Sequence, residues 1–413
     1  MKKNIIGVKF FNEVLIIALA SLMIFTPFYK MQRMYILILL FSAWFFSTVL
    51  MELKWYWKKN AIIAIVILIL MVALDAMLWN VTGDYTYFNS CITHKFFVYI
   101  WFLIFLFYTK HIDILKKIMP IIMLLILISA VITLVGNITN SGASRLLAGT
   151  SDYYAAMREQ YRNAFIGGYD LIYALVFMLM PLLLMLRNKI KGCYIALFMA
   201  CSFIVTVVIS SYFIGILLSV AFVLCIIFKP KRIGRYFAIM LCILLIVILA
   251  KDYLLEGLVN IGNAIGSDIL VKRANEMITM SYVTDYGEGN RLVIYHNAIL
   301  NYLDHPFLGT LQGSLKNHRR SGHSALLVYL ESYGLLSIVY YGFLFKIFKT
   351  TKNCLKNIVI RNSYKIYYGI FLIFMFVDIF DTAYAMGCVV FFVAPAMLLI
   401  IDEEVNGVKC NPI

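Results

Sequence analysis

The sequence predicts an all-α polytopic membrane protein with about twelve transmembrane helices, and two observations support this fold class. Apolar residues make up 63% of the 413 residues, and the mean hydropathy is +0.89. A soluble domain uses only about 45–50% apolar residues. The apolar residues also gather in runs of about 17–22, the length that a helix needs to cross a bilayer. We therefore treat residues 1–413 as a single integral membrane domain.

Twelve such runs can be placed along the chain. They lie near 10–28, 34–51, 61–79, 95–108, 118–136, 165–186, 193–210, 212–228, 236–250, 323–345, 366–383 and 387–401. Residues 193–228 form one unbroken apolar block, which we divide at Ser210 and Ser211 because adjacent serines favour a turn over a helix interior. No small-residue cleavage site follows the first apolar run, so we expect it to be a retained span and not a signal peptide.

The basic residues give the chain an orientation. Lysines and arginines recur in every second connection, which the positive-inside rule assigns to the cytoplasm. They are Lys2, Lys3, Lys9, Lys54, Lys58, Lys59, Lys110, Lys116, Lys117, Arg187, Lys189, Lys191, Lys229, Lys231, Arg232, Arg235 and Lys409, with further ones from Lys346 to Lys365. The prediction is a multi-pass protein of the cytoplasmic (inner) membrane with both termini in the cytoplasm. The net charge of +15 then reflects topology, and no nucleic-acid partner is expected.

Two connections on the predicted outer side are too long to be simple turns. They cover residues 137–164 and 251–322, the second between spans nine and ten, and we expect them to form the functional site. Both carry basic residues that the positive-inside rule does not explain: Arg145, Arg158, Arg162, Lys272, Arg273, Arg291, Lys316, Arg319 and Arg320. Arginine binds phosphate oxygens through paired hydrogen bonds, so these residues indicate a phosphate-bearing ligand. Contact with lipid headgroups or with nearby carboxylates is the alternative for each of them.

The second outer segment contains a predicted helix. Apolar residues at helical spacing from Leu292 to Tyr302 follow Arg291, and His305 with Pro306 would end the helix. His323 then opens the tenth span, where an imidazole could accept a proton at neutral pH. Glu331 lies two helical turns later and is a candidate supporting residue because a buried carboxyl in a span is costly. Helix capping by His323, and pairing of Glu331 with an arginine, are the alternatives.

Motifs for metal or nucleotide chemistry are missing from the sequence. It contains no HExxH, CxxC, Asp-x-Asp or Walker loop, so no metal or other cofactor is expected. The eight cysteines show no spacing typical of a disulfide scaffold. Four aspartates lie in or near spans, where interhelical pairing and a proton path are both open interpretations: Asp75, Asp170, Asp378 and Asp381.

Several of these segments together resemble the bacterial Wzy-type polysaccharide polymerases and the related O-antigen ligases, multi-span glycosyltransferases of the GT-C class. The matching features cover about 45 residues. They are the helix that Arg291 opens in GNRLVIYHNAI, the turn Pro306-Phe-Leu-Gly309, the pair His323-Ser324, and Glu331-Ser-Tyr-Gly334. The segment SRLLAG, which contains Arg145, is similar as well. Large outer segments late in the chain are also typical of this family.

The resemblance implies a metal-independent, inverting glycosyltransferase. Such an enzyme joins undecaprenyl-diphosphate-linked oligosaccharide repeats at the outer face of the membrane into capsule, exopolysaccharide or O-antigen. Its implied partners are these lipid-linked substrates, the bilayer, a flippase and a chain-length regulator. Arg291 would be the main diphosphate contact, with Arg158, Arg162 and Arg145 assisting, and His323 would act as the base or positioner of the acceptor hydroxyl. Glu331, Arg319 and Arg320 would support the site.

One departure from the family concerns the turn between spans seven and eight. Many members carry a Ser-Arg pair there, whereas this chain has Ser210-Ser211-Tyr212. We expect Arg158 or Arg162 to take the place of that arginine. An O-antigen ligase or an oligosaccharyltransferase would use the same donor, and a lipid-linked oligosaccharide flippase would also have about twelve spans. The long arginine-bearing outer segments favour the transferase over the flippase, because a transporter concentrates charge near the membrane midplane.

Overall fold

A computed structural model describes residues 2–31, 34–82, 96–147, 155–227, 251–264, 271, 274–275, 291–312, 324–377 and 384–407. Every regular element in these ranges is helical. The α-helices are α1 Lys2–Ile24, α2 Met34–Glu52, α3 Lys59–Thr82, α4 Phe96–Tyr108, α5 Ile112–Thr139, α6 Ala143–Leu147, α7 Ala155–Asn163, α8 Tyr169–Arg187, α9 Cys193–Ile209, α10 Phe213–Ile227, α11 Lys251–Ala264, α12 Arg291–Asp304, α13 Ala325–Tyr333, α14 Ile338–Cys354, α15 Ile358–Val377, α16 Ala385–Cys388 and α17 Ala394–Asn406.

Helices occupy eleven of the twelve predicted spans, and the ninth, near 236–250, lies outside the described residues. Seven of the helical stretches in the described ranges are long and apolar enough to cross a membrane: Gly7–Ile24, Tyr35–Trp57, Lys59–Val81, Ile112–Thr139, Tyr169–Arg187, Ala325–Cys354 and Ala385–Asn406. Shorter apolar helices cover Val98–Tyr108, Cys193–Ile209 and Ile214–Ile227. The chain is thus a helical membrane protein, and the figure of twelve spans remains a prediction.

Burial separates central helices from peripheral ones. In the most apolar part of Ala385–Asn406, 94% of the residues are buried, and in that of Tyr169–Arg187 the share is 72%. The corresponding stretches of α2 and α3 are only 22% and 28% buried. Helix α8 packs against α9, α10 and α17, so it lies at the centre of the bundle, while α2 and α3 present apolar side chains outward as lipid-facing helices do.

The two ends of the bundle can be recognised from contacts between distant segments. At one end, which we call the Lys116 end, the Lys116 ammonium lies 2.9 Å from Glu403, and Lys117 lies 3.7 Å from Glu13. Here the buried Asp402 accepts backbone N–H groups from Lys356 (2.9 Å) and Asn357 (2.7 Å) just before α15 begins. These segments are the ones that the positive-inside rule assigns to the cytoplasm.

The opposite end, which we call the Arg145 end, collects the segments predicted to lie outside. Asn137 near the end of α5 donates a hydrogen bond to Ser210, which follows α9 (3.2 Å). The carboxylate of Asp170, at the start of α8, accepts the backbone N–H groups of Ala385 (2.5 Å) and Met386 (3.0 Å) at the start of α16. The separation of segments between the two ends therefore agrees with the alternation predicted from the basic residues.

Two predicted spans are interrupted, and one predicted division is confirmed. The tenth span comprises α13, a 3-10 turn Gly334–Ser337 and α14, because Gly334 adopts φ +55°. The twelfth contains a π-helical turn, Val389–Val393, just before Pro395. A proline lacks the N–H that a regular helix needs and crowds the preceding turn, which explains the local widening. Between α9 and α10 the chain turns at Ser210 and Ser211, as predicted.

Candidate functional site

The helix predicted to begin at Arg291 is present as α12, Arg291–Asp304, and it ends just before His305 and Pro306. The side chain of Arg291 is outside the described part of the structure. One turn later, the ring of Tyr295 lies 6.1 Å from that of Phe376 near the end of α15. The start of α12 is thereby placed beside the end of α15.

The motifs Pro306-Phe-Leu-Gly309 and Glu331-Ser-Tyr-Gly334 contact each other through their backbones, and we call this arrangement the glycine lock. The backbone N–H of Leu335 donates to the carbonyl oxygen of Pro306 at 2.8 Å. The hydroxyl of Thr310 donates to the carbonyl of Ser332 at 3.1 Å. The turn after α12 and the turn after α13 therefore form one unit.

Both positions of the glycine lock require glycine. Gly309 and Gly334 adopt φ +58° and +55°, the left-handed region that side-chain-bearing residues avoid. A Cβ at either position would lie within 2.7 Å of the backbone of the other turn, reaching Glu331 from Gly309 and Pro306 from Gly334. The two motifs noticed separately in the sequence thus have a common physical basis, which is the close approach of two backbones.

Glu331 and Asn301 connect the same two helices from the side. The carboxylate of Glu331 is buried, with 1% of the residue exposed, and accepts a hydrogen bond of 2.8 Å from the amide of Asn301, itself 2% exposed. A buried carboxylate needs such donors because its desolvation is costly. Glu331, predicted as a supporting residue, therefore joins α13 to the helix that begins at Arg291.

Ser324 begins α13 and also contacts α15. Its hydroxyl caps the helix by accepting the N–H of Leu327 at 3.3 Å and donates a long hydrogen bond to the carbonyl of Met375 at 3.5 Å. The helix expected to open at His323 thus begins at Ala325, with Ser324 as its N-cap. His323, Arg319 and Arg320 lie outside the described residues.

Arg145 is the arginine that the structure brings to the Ser210-Ser211-Tyr212 turn. Its Nη1 donates a long hydrogen bond to the carbonyl of Ser211 at 3.4 Å. Its guanidinium carbon lies 5.7 Å from the centre of the Tyr212 ring, within the range of a cation–π contact. Ser211 itself adopts φ +59°, a strained conformation for a non-glycine residue, and it is 2% exposed.

A buried polar network fixes the position of Arg145. Asn137 donates to the hydroxyls of Ser144 (2.6 Å) and Ser210 (3.2 Å), and its own side-chain oxygen accepts the Ser144 N–H at 3.0 Å. The Ser144 hydroxyl donates to the carbonyl of Gly167 at 2.6 Å, and Tyr212 donates to the carbonyl of Ser144 at 2.9 Å. Because these side chains satisfy one another in a buried region, the network is rigid. The residue before Arg145 is therefore held by three segments of the chain.

Aromatic contacts join the surroundings of Arg145 to those of Ser324. The ring of Tyr173 lies 5.9 Å from that of Tyr212 and 4.5 Å from that of Phe374. Phe374 directly precedes Met375, whose carbonyl accepts the Ser324 hydroxyl. Arg145, the N-cap of α13 and the first turns of α12 consequently surround the same end of α15.

Two further predicted arginines, Arg158 and Arg162, lie in helix α7. Arg158 is half-buried, whereas Arg162 is exposed and lies 3.9 Å from Glu159, with both side chains 60% exposed. An exposed pair of this kind contributes little to stability. The role predicted for Arg158 and Arg162, in place of the arginine of the Ser-Arg pair, remains a prediction, whereas Arg145 contacts that turn.

The aspartates in the spans make contacts between helices. Tyr333 donates a hydrogen bond to the carboxylate of Asp75, and both residues are buried. Asp170 joins α8 to α16 as described above. Asp378 and Asp381 lie outside the described residues. The contacts of Asp75 and Asp170 favour the interhelical interpretation over the proton path.

Sequence reasoning missed the residues that position Arg145. Ser144 and Tyr212 belong to segments noted in the sequence, SRLLAG and Ser210-Ser211-Tyr212, but no positioning role was predicted for them. Asn137 is a polar residue near a helix end, where such residues are common, so composition and spacing do not single it out. Compared with protein-family models and with curated proteins, the chain matches none. What the arrangement can do chemically follows from Arg145, which is a permanently charged planar group held at one end of a membrane bundle and suited to phosphate oxygens.

Proposed function

We propose that this chain is a GT-C-like membrane glycosyltransferase that polymerises undecaprenyl-diphosphate-linked oligosaccharide repeats. In this proposal it works without a metal, at the outer face of the cytoplasmic membrane, and the Arg145 end is that outer face. The product is a surface polysaccharide. Residues 137–164 and 251–322 supply the arginines, and His323, directly after the second segment, supplies the base.

One observation carries the proposal: Arg145 and Ser324, the latter adjacent to His323, belong to one cluster around the end of α15. Arg145 reaches this cluster through Tyr212, Tyr173 and Phe374. Ser324 reaches it through Met375. The predicted diphosphate-binding and base-bearing segments are far apart in sequence, so their meeting supports a shared role.

The chemistry follows from the donor. A sugar hydroxyl of one lipid-linked repeat attacks the anomeric carbon of another, a new glycosidic C–O bond forms, and the bond from the anomeric carbon to the diphosphate oxygen breaks. Undecaprenyl diphosphate leaves with the bonding electron pair, and arginines stabilise the negative charge that develops on it. His323 takes the proton of the attacking hydroxyl, an assistance typically worth about 10²–10⁴-fold in rate. A single displacement inverts the anomeric centre.

Arg145 contributes charge at the leaving group in this proposal, alongside Arg291. The cation–π contact with Tyr212 and the bond to the Ser211 carbonyl orient the guanidinium before the substrate binds. Preorganised charge stabilises a transition state better than a mobile side chain does, because no reorganisation is needed during the reaction. Arg145 of α6 would thus take the place of the arginine that the Ser210-Ser211-Tyr212 turn lacks.

The test is the length distribution of the polysaccharide made in the host by variants present in the membrane at normal abundance. Arg291→Ala and His323→Ala should leave single lipid-linked repeats on the outer face. Arg145→Ala should lower the yield of polymer by about 10²-fold, the typical effect of removing one such charge-stabilising donor. Arg145→Lys, which keeps the charge and loses the planar fork, should fall between Arg145→Ala and the unchanged protein.

Lys30→Ala is the matched control, because Lys30 is an exposed cation at the same end and its hydrogen-bond partner is Asn163. It should leave polymer length unchanged. Long chains that persist in the Arg291 and His323 variants would refute the assigned site. Repeats retained on the inner face would identify a flippase, and normal polymer that is not attached to its final acceptor would identify a ligase.

A further inference from the structure

A cleft opens at the Lys116 end, on the opposite side of the bundle from the proposed reaction. It lies where the start of α3, the end of α4 and the end of α14 meet. Its lining includes Trp55, Lys58, Asn60, Lys110 and Thr350. Nothing in the proposed transferase chemistry uses this cleft, so its role is a separate question.

The cleft carries more positive than negative charge. The ammonium of Lys110 is paired with Glu52, and its side chain is only 13% exposed. Lys58 lines the same cleft next to Lys110. Burial, the charge of Lys110 and a side-chain contact with it lower the pKa of Lys58, while Glu52 raises it. His111 Nε2 lies 3.6 Å from Glu52, and burial lowers the pKa of this imidazole. Among the described residues that line the cleft are two lysines and no carboxylate, and the neighbouring Glu52 carries one negative charge, which leaves an unbalanced positive charge.

The backbone adds a further preference for an anion. Helix α3 is 24 residues long and begins at Lys59, directly beside the cleft. The N–H of Ile62 bonds to the carbonyl of Lys58, so the preceding amides of the first turn have no acceptor within the helix. Such amides and the positive end of the helix dipole favour a negatively charged group. The lysines and the helix start therefore favour the same kind of ligand.

The tryptophans beside the cleft indicate its depth relative to the bilayer. Trp55 is buried in the cleft wall, whereas Trp57, two residues later, is 75% exposed. Tryptophan is enriched at the level of lipid headgroups, where its ring meets both apolar and polar surroundings. Lys58 follows directly. The cleft accordingly lies where the phosphate of a lipid would be found, and basic pockets between membrane helices bind such headgroups.

We infer that this cleft binds the phosphate group of an anionic phospholipid, held by Lys58, Lys110 and the first amides of α3. The inference does not depend on the proposed transferase activity, because the two regions lie at opposite ends of the bundle. The lipid would neutralise the surplus charge and join α3 to α4 and α14.

The experiment counts lipids that accompany the purified full-length protein. The protein is exchanged into vesicles with equal amounts of phosphatidylglycerol and phosphatidylcholine, extracted gently, and the bound lipids are measured by mass spectrometry. We expect the unchanged protein to retain an excess of phosphatidylglycerol. Lys58→Gln should reduce that excess by about fivefold, since one lysine near the headgroups contributes about 1 kcal/mol. Lys58→Arg should keep it.

Lys54→Gln is the matched control, because it removes the same charge from an exposed lysine of the preceding turn that does not line the cleft. It should leave the excess unchanged. Equal losses in Lys54→Gln and Lys58→Gln, or no loss in Lys58→Gln, would overturn the inference in favour of diffuse attraction. Displacement of the lipid by added inorganic phosphate would overturn the assignment to a lipid, because the cleft would then be a site for the free ion. The unfolding midpoints of Lys58→Gln and Lys54→Gln should be equal in lipid-free detergent. Equal midpoints would show that Lys58→Gln loses the lipid and does not misfold.

Discussion

Replacing Gly309 by alanine should break the glycine lock between the turns after α12 and α13. The added Cβ would lie 2.5 Å from the carbonyl oxygen of Glu331, 2.6 Å from the carbonyl carbon of Ser332 and 2.7 Å from the nitrogen of Gly334. All three are backbone atoms, so no flexible side chain can move aside. The turn after α12 would have to separate from the turn after α13.

Two terms set the size of the effect. A left-handed conformation, here φ +58°, costs a side-chain-bearing residue about 1–2 kcal/mol. Forcing an extra group into a close-packed region costs about 1–3 kcal/mol. Together they predict a loss of about 2–5 kcal/mol in the free energy of unfolding. That is a substantial fraction of the total stability of about 5–15 kcal/mol that is typical of folded proteins.

The assay is the midpoint of unfolding of the purified protein in detergent, measured with increasing denaturant. Gly342→Ala is the matched control, because no atom lies within 4 Å of the added Cβ and the residue is within α14. Alanine is favoured over glycine in a helix by about 1 kcal/mol, so this control should unfold at the same or a slightly higher midpoint. Equal midpoints for Gly309→Ala and Gly342→Ala would refute the glycine lock.

Two further predictions concern buried hydrogen bonds. Tyr333→Phe removes the hydroxyl that donates to buried Asp75 and should lower the free energy of unfolding by about 1–3 kcal/mol. In a double-mutant cycle, this effect should not be additive with that of Asp75→Asn. Additive effects would contradict the contact. Ser144→Ala should cost about 1–3 kcal/mol, because the Gly167 carbonyl loses its hydroxyl donor and Asn137 loses one of its hydrogen bonds. Ser219→Ala, whose hydroxyl bonds to the Gly215 carbonyl of its own helix, should unfold at a nearly unchanged midpoint.

The helical architecture could be predicted because hydropathy and charge are local signals. Apolar runs gave the helix positions, and the adjacent Ser210 and Ser211 gave the division between α9 and α10. The interruption of the tenth span was not predicted, because Gly334 sits in an apolar run and its left-handed conformation is fixed by contact with Pro306, far away in sequence.

The candidate site was predictable only in part. The helix beginning at Arg291 followed from apolar spacing and from Pro306, which are again local features. The contact of Arg145 with Tyr212 joins segments more than sixty residues apart, and no periodicity reports on such a contact. Glu331 could be singled out as a carboxyl within a span, but its partner Asn301 looks like an ordinary polar residue of a surface helix. The sequence therefore predicted where the helices lie, but it did not predict the partners between helices.

The contacts at the Lys116 end join segments that are synthesised at different times. Lys116 belongs to the first third of the chain, but its carboxylate partner is Glu403 in α17. The backbone amides ahead of α15 likewise find their acceptor in Asp402. The ribosome makes α5 and α15 before α17, so these groups have water or lipid as partners until α17 is in place. Closure of this end is accordingly a late event in membrane insertion.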